Sequence, residues 1–496
     1  MFDFKYYLEN NGEFGVVQEI KHPIVTLSGL PNAKPTEVVI TETGVMGQVF
    51  SVERDSIKIL VFSKLPLNVG QRVARTDLYL AVHVGEELIG HVINPLGKTM
   101  FTGDVFEKPK DIRELEQDVK KIYERARITK PLATGVTVVD LMVPLGKGQR
   151  ELVIGDRKTG KTAFLNTIIK SQIDEGSLVV YCAIGKKKGE IKRMVEYFTK
   201  QGLLKNMIMV ATDSQESASL IYLTPFTAMT IAEYFRDKGK DVLVLYDDLT
   251  THAKFYREMS LLGDRFPGRD SYPGDIFYTH AKLLERAGNV KFGADGASAI
   301  TCLALVETIE ADLTGYIQTN LMGITDGHIF FDSNAFYNGR RPAINIAISV
   351  TRVGKQTQTK LKKEINGMLS SFLAKYEKIQ NFSHFGSELS PEIVQMLKKG
   401  EKLYEFFDQH YDMALPGSVQ LIILALVWLG IFDHEEPGTI DKYKLALITA
   451  YKNEKTREVL KQLTQADTFE ALLQKIRSKA ADIINLCKIN SESTPK

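Results

Sequence analysis

From Glu13 to about Arg75, short apolar runs alternate with Gly, Pro and Asn positions: GVVQEI, IVTLSGL, TEVVITE, GVMGQVFSVE and SIKILVFS. Short strands at even spacing, with no helix between them, predict a small β-barrel or sandwich. From Leu78 the rhythm changes. Asp111 to Arg127 carries Ile112, Leu115, Val119 and Ile122 at helical spacing among many charges, which predicts one solvent-facing helix. Ser177 to Ile184 is then a near-continuous apolar strand, Glu190 to Gln201 a helix and Met207 to Thr212 a strand. Ala218 to Lys238 reads as a long helix and Asp241 to Tyr246 as a strand. Strands apolar on both faces and alternating with helices predict a parallel sheet covered on two sides. After Val353 the strand patterns cease. Lys355 to Tyr376, Pro391 to Phe407, Ser418 to Leu429, Thr439 to Asn453 and Phe469 to Lys488 have helical patterning, so an all-helical C-terminal domain is expected. The longest apolar run, Val419 to Phe432, includes Gln420 and is too short for a membrane span, so it predicts a buried helix. There is no internal repeat, and the tail SESTPK is expected to be disordered.

Composition narrows the class without changing this outline. A chain of 496 residues exceeds one ordinary core and implies several domains. Hydrophobic content of 44% and charged content of 25% are those of a soluble globular protein. A net charge of +2 argues against a dominant nucleic-acid surface. The barrel region also lacks the aromatic and basic interleaving that stacks bases. Cys182, Cys302 and Cys487 are too scattered for a disulfide framework or a zinc site and fit reduced, buried thiols. The N-terminus, MFDFKYYLENNGEF, has no apolar core segment and reads as neither signal nor transit peptide.

The densest chemistry lies in ELVIGDRKTGKTAF, Glu151 to Phe164. An apolar strand feeds Gly155-Asp156-Arg157-Lys158-Thr159-Gly160-Lys161-Thr162, and a helix with Phe164, Leu165, Ile168 and Ile169 on one side follows. This is the G-x-x-x-x-G-K-[ST] phosphate loop in its strand–loop–helix setting. Its glycines let backbone N–H groups close around phosphate oxygens at the positive end of a helix. Lys161 would reach the β- and γ-phosphates, and the Thr162 hydroxyl could ligate magnesium. At the end of the strand Val242 to Tyr246 stand Asp247 and Asp248. Phosphate-loop NTPases hold magnesium, directly or through water, with such a strand-terminal acid, and Asp247 is assigned that role. The alternative, a cap on the following helix, fits Asp248 better.

Ordered matches along the chain resemble the α-type subunits of the F-type rotary ATP synthase/ATPase family. They are VGEELIGHVINPLG (84–97), GVTVVDLMVPLGKGQRELVIGDRKTGKT (135–162) and LYDDLTTHAKFYREMSLL (245–262). PGRDSYPGDIFYTHAKLLERA (267–287), TGYIQTNLMGITDGHIFF (314–331), RRPAINIAISVTRVG (340–354) and FSHFGSEL (382–389) follow. The resemblance implies an N-terminal β-barrel (1–75), an α/β RecA-like P-loop core (76–354) and a C-terminal α-helical domain (355–496). It also implies a ring in which α-type subunits alternate with catalytic β-type subunits around a central γ-type shaft, with ATP or ADP and magnesium bound. The complex would lie at the cytoplasmic face of a bacterial cell membrane, or in the cytoplasm, with the membrane reached only through the assembly.

Catalytic relatives have a glutamate directly after the glycine matching Gly185, where it activates water; the α pattern has glutamine. Here the position is Lys186, within Lys186-Lys187-Lys188. An ammonium cannot accept a proton from water, so a site that binds the nucleotide without splitting it is expected. Arg352 aligns with the family's arginine finger, which acts in the neighbouring β-type subunit. Glu307 matches a glutamate near the phosphates, and Arg341-Pro342 match the segment beside the adenine. Asp408-Gln409-His410-Tyr411 depart from the family's Gln-x-Gln pair before a tyrosine, and Lys158 replaces a glutamine in the loop. Only about a dozen residues precede Gly15, and Asp111 to Arg127 replaces a Pro-containing basic stretch, so a different peripheral-stalk attachment is expected. Two alternatives stay open: an F-type-like ATPase motor coupled to a partner that does not translocate protons, and a hexameric nucleic-acid translocase. A self-sufficient catalytic homohexamer is disfavoured by Lys186.

Overall fold

The computed structural model describes residues 3–492 except 102, 104, 294–295, 384–389 and 412. The last residues of the tail, 493–496, and most of FSHFGSEL lie outside the described residues. The chain divides into two compact units. One comprises Met1–Arg127, Gly176–Thr308 and Asp312–Thr325; the other comprises Ile128–Glu175, Ile309–Ala311 and Asp326–Lys496.

The first unit begins with the expected barrel. Strands β1 (Phe14–Lys21), β2 (Ile24–Gly29), β3 (Glu37–Thr41), β4 (Met46–Val52), β5 (Ile57–Val61) and β6 (Arg72–Tyr79) close in the order β1-β2-β5-β4-β3-β6. Alternation along each strand sends Val17, Val25, Leu27, Val39, Val49, Ile59, Val61 and Val73 inward to one core. A helix not foreseen from the sequence, Phe4–Asn11, precedes it. Asp3 accepts from the Lys5 N–H (3.0 Å) at its start, and Phe4 packs on Ile40 and Ala74.

The same unit carries parallel strands in the order Gly296–Glu307, Val242–Asp247, Leu178–Lys186, Met207–Asp213 and Val92–Ile93. The helices Lys188–Lys200 and Ala218–Arg236 lie where the patterning placed them. One expectation fails. Asp111 to Arg127 is not a helix: Asp111–Glu114 pairs antiparallel with Ala81–Val84, and only a short 3-10 turn, Ile122–Glu124, follows. The apolar spacing there makes no buried face, because Ile112 and Ile122 are exposed and only Leu115 is buried. Tertiary partners claim the polar groups instead. The Leu115 carbonyl accepts from Arg286 (2.9 Å), and the Arg125 guanidinium donates to the carbonyls of Lys120, Ala287 and Glu285.

In the second unit Arg150–Gly155 pairs parallel with Gly327–Phe331, whose other edge takes Val350–Thr351 antiparallel. Helices Lys360–Ser383, Pro391–Phe407, Gly417–Trp428, Thr439–Tyr451, Glu454–Leu463 and Phe469–Glu492 follow. Gly417–Trp428 is apolar on every side and is buried by the neighbours around it, so the longest apolar run is a core helix. Its lone amide, Gln420, donates to Asp140 (2.8 Å) and to the Leu415 carbonyl (2.8 Å). Glu454–Leu463, unforeseen as a separate helix, starts where the Asn453 side chain accepts from the Thr456 N–H (3.2 Å).

Candidate functional site

The phosphate loop lies wholly in the second unit. Gly155 ends its strand so close to the neighbouring one that a Cβ would sit 2.5 Å from the Phe331 carbonyl oxygen. Lys158 (φ 64°) and Gly160 (φ 96°) take left-handed conformations that turn the chain into the helix Lys161–Asp174. No side chain caps that helix, so its first N–H groups point into the loop as anion donors. The Lys161 ammonium, largely buried, donates to the Gly155 carbonyl (2.8 Å) and to that of Asp156. Thr159 closes the turn by donating to the Asp156 carbonyl (2.8 Å). The Asp156 carboxylate accepts from the Ala311 N–H (2.9 and 3.1 Å) and the Ser333 hydroxyl (2.7 Å), which tie the loop to its surroundings. Arg157, Lys158 and Thr162 face solvent.

The same unit holds the segment expected beside the base. The Arg341 N–H donates to Asp408 (2.8 Å), and its guanidinium lies 3.7 Å from the centre of the Phe336 ring. Gln409 is buried and wholly structural. Its amide oxygen accepts from the Thr137 N–H (3.0 Å) and hydroxyl (3.1 Å), while its nitrogen donates to the carbonyls of Gly135 (2.7 Å) and Met413. His410 faces solvent and packs on Tyr411, with ring centres 4.4 Å apart. Of the tetrapeptide that replaces the family's Gln-x-Gln, Asp408 therefore lies with Arg341 and Pro342 on a cavity of about 500 Å³, which Arg340, Asn345 and Tyr404 also line.

Arg352 is exposed just beyond the edge strand Val350–Thr351, and among the described residues no carboxylate pairs with its guanidinium. Its backbone is held firmly. The Arg352 N–H donates to the Asp326 carbonyl (3.0 Å), and the Asp326 carboxylate grips Arg150 (3.1 and 2.8 Å). The Thr351 hydroxyl donates to the Pro144 carbonyl (2.9 Å) and accepts from Gln149 (3.2 Å). Gln149 also donates to Glu151 (2.7 Å), whose other oxygen has no partner among the described residues. Burial pushes the Glu151 carboxyl well above its usual range, with Asp326 adding to the effect.

The acidic residues belong to the first unit. Asp247 ends its strand with both oxygens engaged: Oδ1 lies 2.6 Å from the Lys186 ammonium, and Oδ2 accepts from the Tyr181 hydroxyl at 2.7 Å. Asp248 caps the helix Leu249–Leu262 by accepting from the Thr251 N–H (2.7 Å), as the alternative reading had it, and lies 3.5 Å from Lys186. Burial raises the Asp248 carboxyl, and Lys186 opposes that shift. Burial likewise works against the Lys186 charge, yet Asp247 and Asp248 outweigh it and raise its affinity for the proton. Burial, with Asp247 beside it, pushes the Tyr181 phenol well up, so it remains a donor. The Glu307 N–H donates to the Thr250 hydroxyl (2.9 Å), and its carbonyl accepts from Gln318 (2.7 Å). Of the groups expected to hold magnesium, the exposed Thr162 hydroxyl fits the task. The Asp247 carboxylate has one partner on each oxygen, Lys186 and Tyr181, and keeps acceptor capacity beyond them.

Residues 135–351 match the ATP synthase alpha/beta family, nucleotide-binding domain, and residues 358–483 match the ATP synthase alpha/beta chain, C terminal domain. The chain is 38% identical over 465 residues to an ATP synthase subunit alpha of Clostridium acetobutylicum, covering 93% of this chain and 92% of that one. It is 36% identical over 492 residues to the Ehrlichia ruminantium ATP synthase subunit alpha (97% and 96% covered). It is also 36% identical over 473 residues to that of Aquifex aeolicus (95% and 93% covered). The chain belongs to the ATP synthase alpha/beta family. As a member of that family it carries a nucleotide-binding domain, and among the described residues no helix is long and apolar enough to cross a membrane. Sequence reasoning missed Tyr181, which looks like any other residue of an apolar strand until it meets Asp247. It also passed over Glu151, although an acid opening a buried strand was itself a signal.

Proposed function

We propose that this chain is the non-catalytic, ATP-binding α-type subunit of an F-type rotary ATPase. It alternates with catalytic β-type subunits around a γ-type shaft and reaches the membrane only through the assembled complex. Triphosphate rests on the Gly155–Thr162 loop, with Lys161 and the first helical N–H groups neutralising its charge. The Thr162 hydroxyl would hold the magnesium that accompanies the nucleotide. Arg341, Pro342 and Asp408 line the cavity assigned to the base, and Glu307 matches a glutamate that the family has near the phosphates.

The observation that carries this reading is Lys186. Where a catalytic member has a carboxylate to activate water, this chain has an ammonium paired at 2.6 Å with Asp247. A permanently protonated group can neither accept the proton nor release Asp247 to do so. Arg352, exposed on a firmly held backbone, is free to be lent to a neighbouring subunit, where its planar donors suit transferring phosphoryl oxygens. The test is turnover. The isolated chain binds ATP without sustained hydrolysis, and the mixed complex with a β-type partner turns over. Sustained hydrolysis by the isolated chain that disappears in Lys161→Ala overturns the proposal.

A further inference from the structure

We propose that Asp408 admits guanine to the base site, so that this chain binds GTP at least as tightly as ATP. The inference rests on the reading that the cavity carrying Arg341, Pro342 and Asp408 receives the base of a nucleotide held by the phosphate loop.

The cavity and the phosphate loop both lie in the second unit, and the short helix Ser333–Tyr337 joins them. Asp332, which caps that helix, lines the cavity, while the Ser333 hydroxyl beside it donates to Asp156 of the loop (2.7 Å). Phe336, on the same helix, comes close enough to Gly160 that a Cβ there would sit 3.9 Å from the ring. Two flat cation–aromatic pairs stand at the cavity. The Arg341 guanidinium lies 3.7 Å from the centre of the Phe336 ring, and that of Arg340 lies 4.0 Å from the centre of the Tyr404 ring. Planar guanidinium and ring faces of this kind suit stacking with a base.

What the cavity offers to the edge of a base is set by its acids. Asp332 accepts from Asn345 (3.0 Å) besides capping its helix, Glu377 accepts from the Tyr404 hydroxyl (3.0 Å), and Glu405 accepts from Lys402 (2.9 Å) and the Gly438 N–H (2.8 Å). Asp408 is exposed; its Oδ1 accepts from the Arg341 N–H (2.8 Å), and the carboxylate keeps acceptor capacity beyond that bond. Its backbone is fixed from two sides. The Gln409 N–H donates to the Arg341 carbonyl (2.6 Å), and the buried Lys444 ammonium donates to the carbonyls of Asp408 and Glu405 (3.1 Å to the latter).

An ionised carboxylate can only accept. Guanine presents two adjacent donors, N1–H and the N2 amino group, which the two oxygens of one carboxylate can take together. The matching edge of adenine sets the N6 amino donor beside N1, an acceptor, so one carboxylate oxygen would face a lone pair. An amide, with one acceptor and one donor, suits adenine instead. A carboxylate held in place at Asp408 therefore favours the guanine edge.

The experiment is competition at equilibrium. Unlabelled ATP, GTP and ITP displace a ribose-labelled fluorescent ATP analogue from the full chain in magnesium, for wild type, Asp408→Asn and Lys161→Ala. Wild type is expected to bind GTP no more weakly than ATP. It should bind ITP, which lacks the N2 amino donor, about threefold or more weakly than GTP. In Asp408→Asn the balance should move towards ATP by about tenfold or more. A wild type that prefers ATP to GTP overturns the proposal, and so do equal affinities of wild type for GTP and ITP. A GTP-to-ATP ratio that a nucleotide-binding Asp408→Asn leaves unchanged overturns it as well. Any of these three results, with binding lost in Lys161→Ala, leaves the nucleotide reading standing. Failure of wild type to bind the labelled analogue at all removes that reading, and this proposal with it.

Discussion

Glu151→Gln gives a direct test of how the strand before the phosphate loop is built. Glu151 is fully buried, receives one hydrogen bond from Gln149 (2.7 Å), and has a second oxygen with no partner among the described residues. Burial raises its affinity for the proton well above the ordinary value, so the native state prefers the neutral acid. The sign follows from linkage. A carboxyl whose native value is raised costs the fold nothing below its unfolded value of about 4.3, and costs progressively more as pH rises towards the native value. In that window wild type should lose about 1.4 kcal/mol per pH unit relative to the amide, which has no proton to lose. Glutamine keeps the shape and still accepts from Gln149, so at low pH the two proteins should be equally stable. The single tryptophan, Trp428, lies in the same unit and packs on Phe372 and Phe469, so its fluorescence reports this unit's denaturant unfolding. The expected result is that Glu151→Gln becomes increasingly the more stable protein as pH rises above about 4.3. Unfolding midpoints that keep a constant spacing with pH, or a variant less stable throughout, would refute the reasoning and mean that Glu151 is ionised against Arg352.

Other expectations follow from the same geometry. Arg352→Lys should spare nucleotide binding and assembly while lowering turnover of the mixed complex by about 10³ or more, measured by coupled ATPase assay. Gly155→Ala forces a Cβ to within 2.5 Å of the Phe331 carbonyl, so it should destabilise the second unit by about 1–3 kcal/mol in the Trp428 assay and weaken nucleotide binding. In the first unit the buried pair His252 and His280 (3.3 Å) is held neutral, with His252 lowered by burial to about 4. A depressed native value means stability is fully present above the unfolded value near 6.5 and is lost as pH falls towards 4, at about 1.4 kcal/mol per unit for each ring. Near-ultraviolet circular dichroism of the surrounding tyrosines should show that acid-side loss, and a flat profile between these limits would count against it.

The local rules were enough for much of this molecule. Short apolar runs evenly spaced between turn residues marked the barrel strands, doubly apolar runs marked the parallel strands, and spacing alone located the phosphate loop, because each signal is written in neighbouring residues. The same rules misread Asp111 to Arg127. Its charges and apolar spacing suit a helix, but distant groups decide otherwise: the strand Ala81–Val84, the Arg286 guanidinium and the carbonyls of Glu285 and Ala287. Lys186 shows the divide most sharply. Its identity excluded a base, a matter of chemistry readable from one letter. Its partnership with Asp247 could be known only from the fold, since adjacent parallel strands bring together residues 61 positions apart in the chain. Local sequence decides what each segment can be and what each side chain can do. Tertiary packing decides which charges meet, because burial and pairing depend on neighbours that the linear order does not reveal.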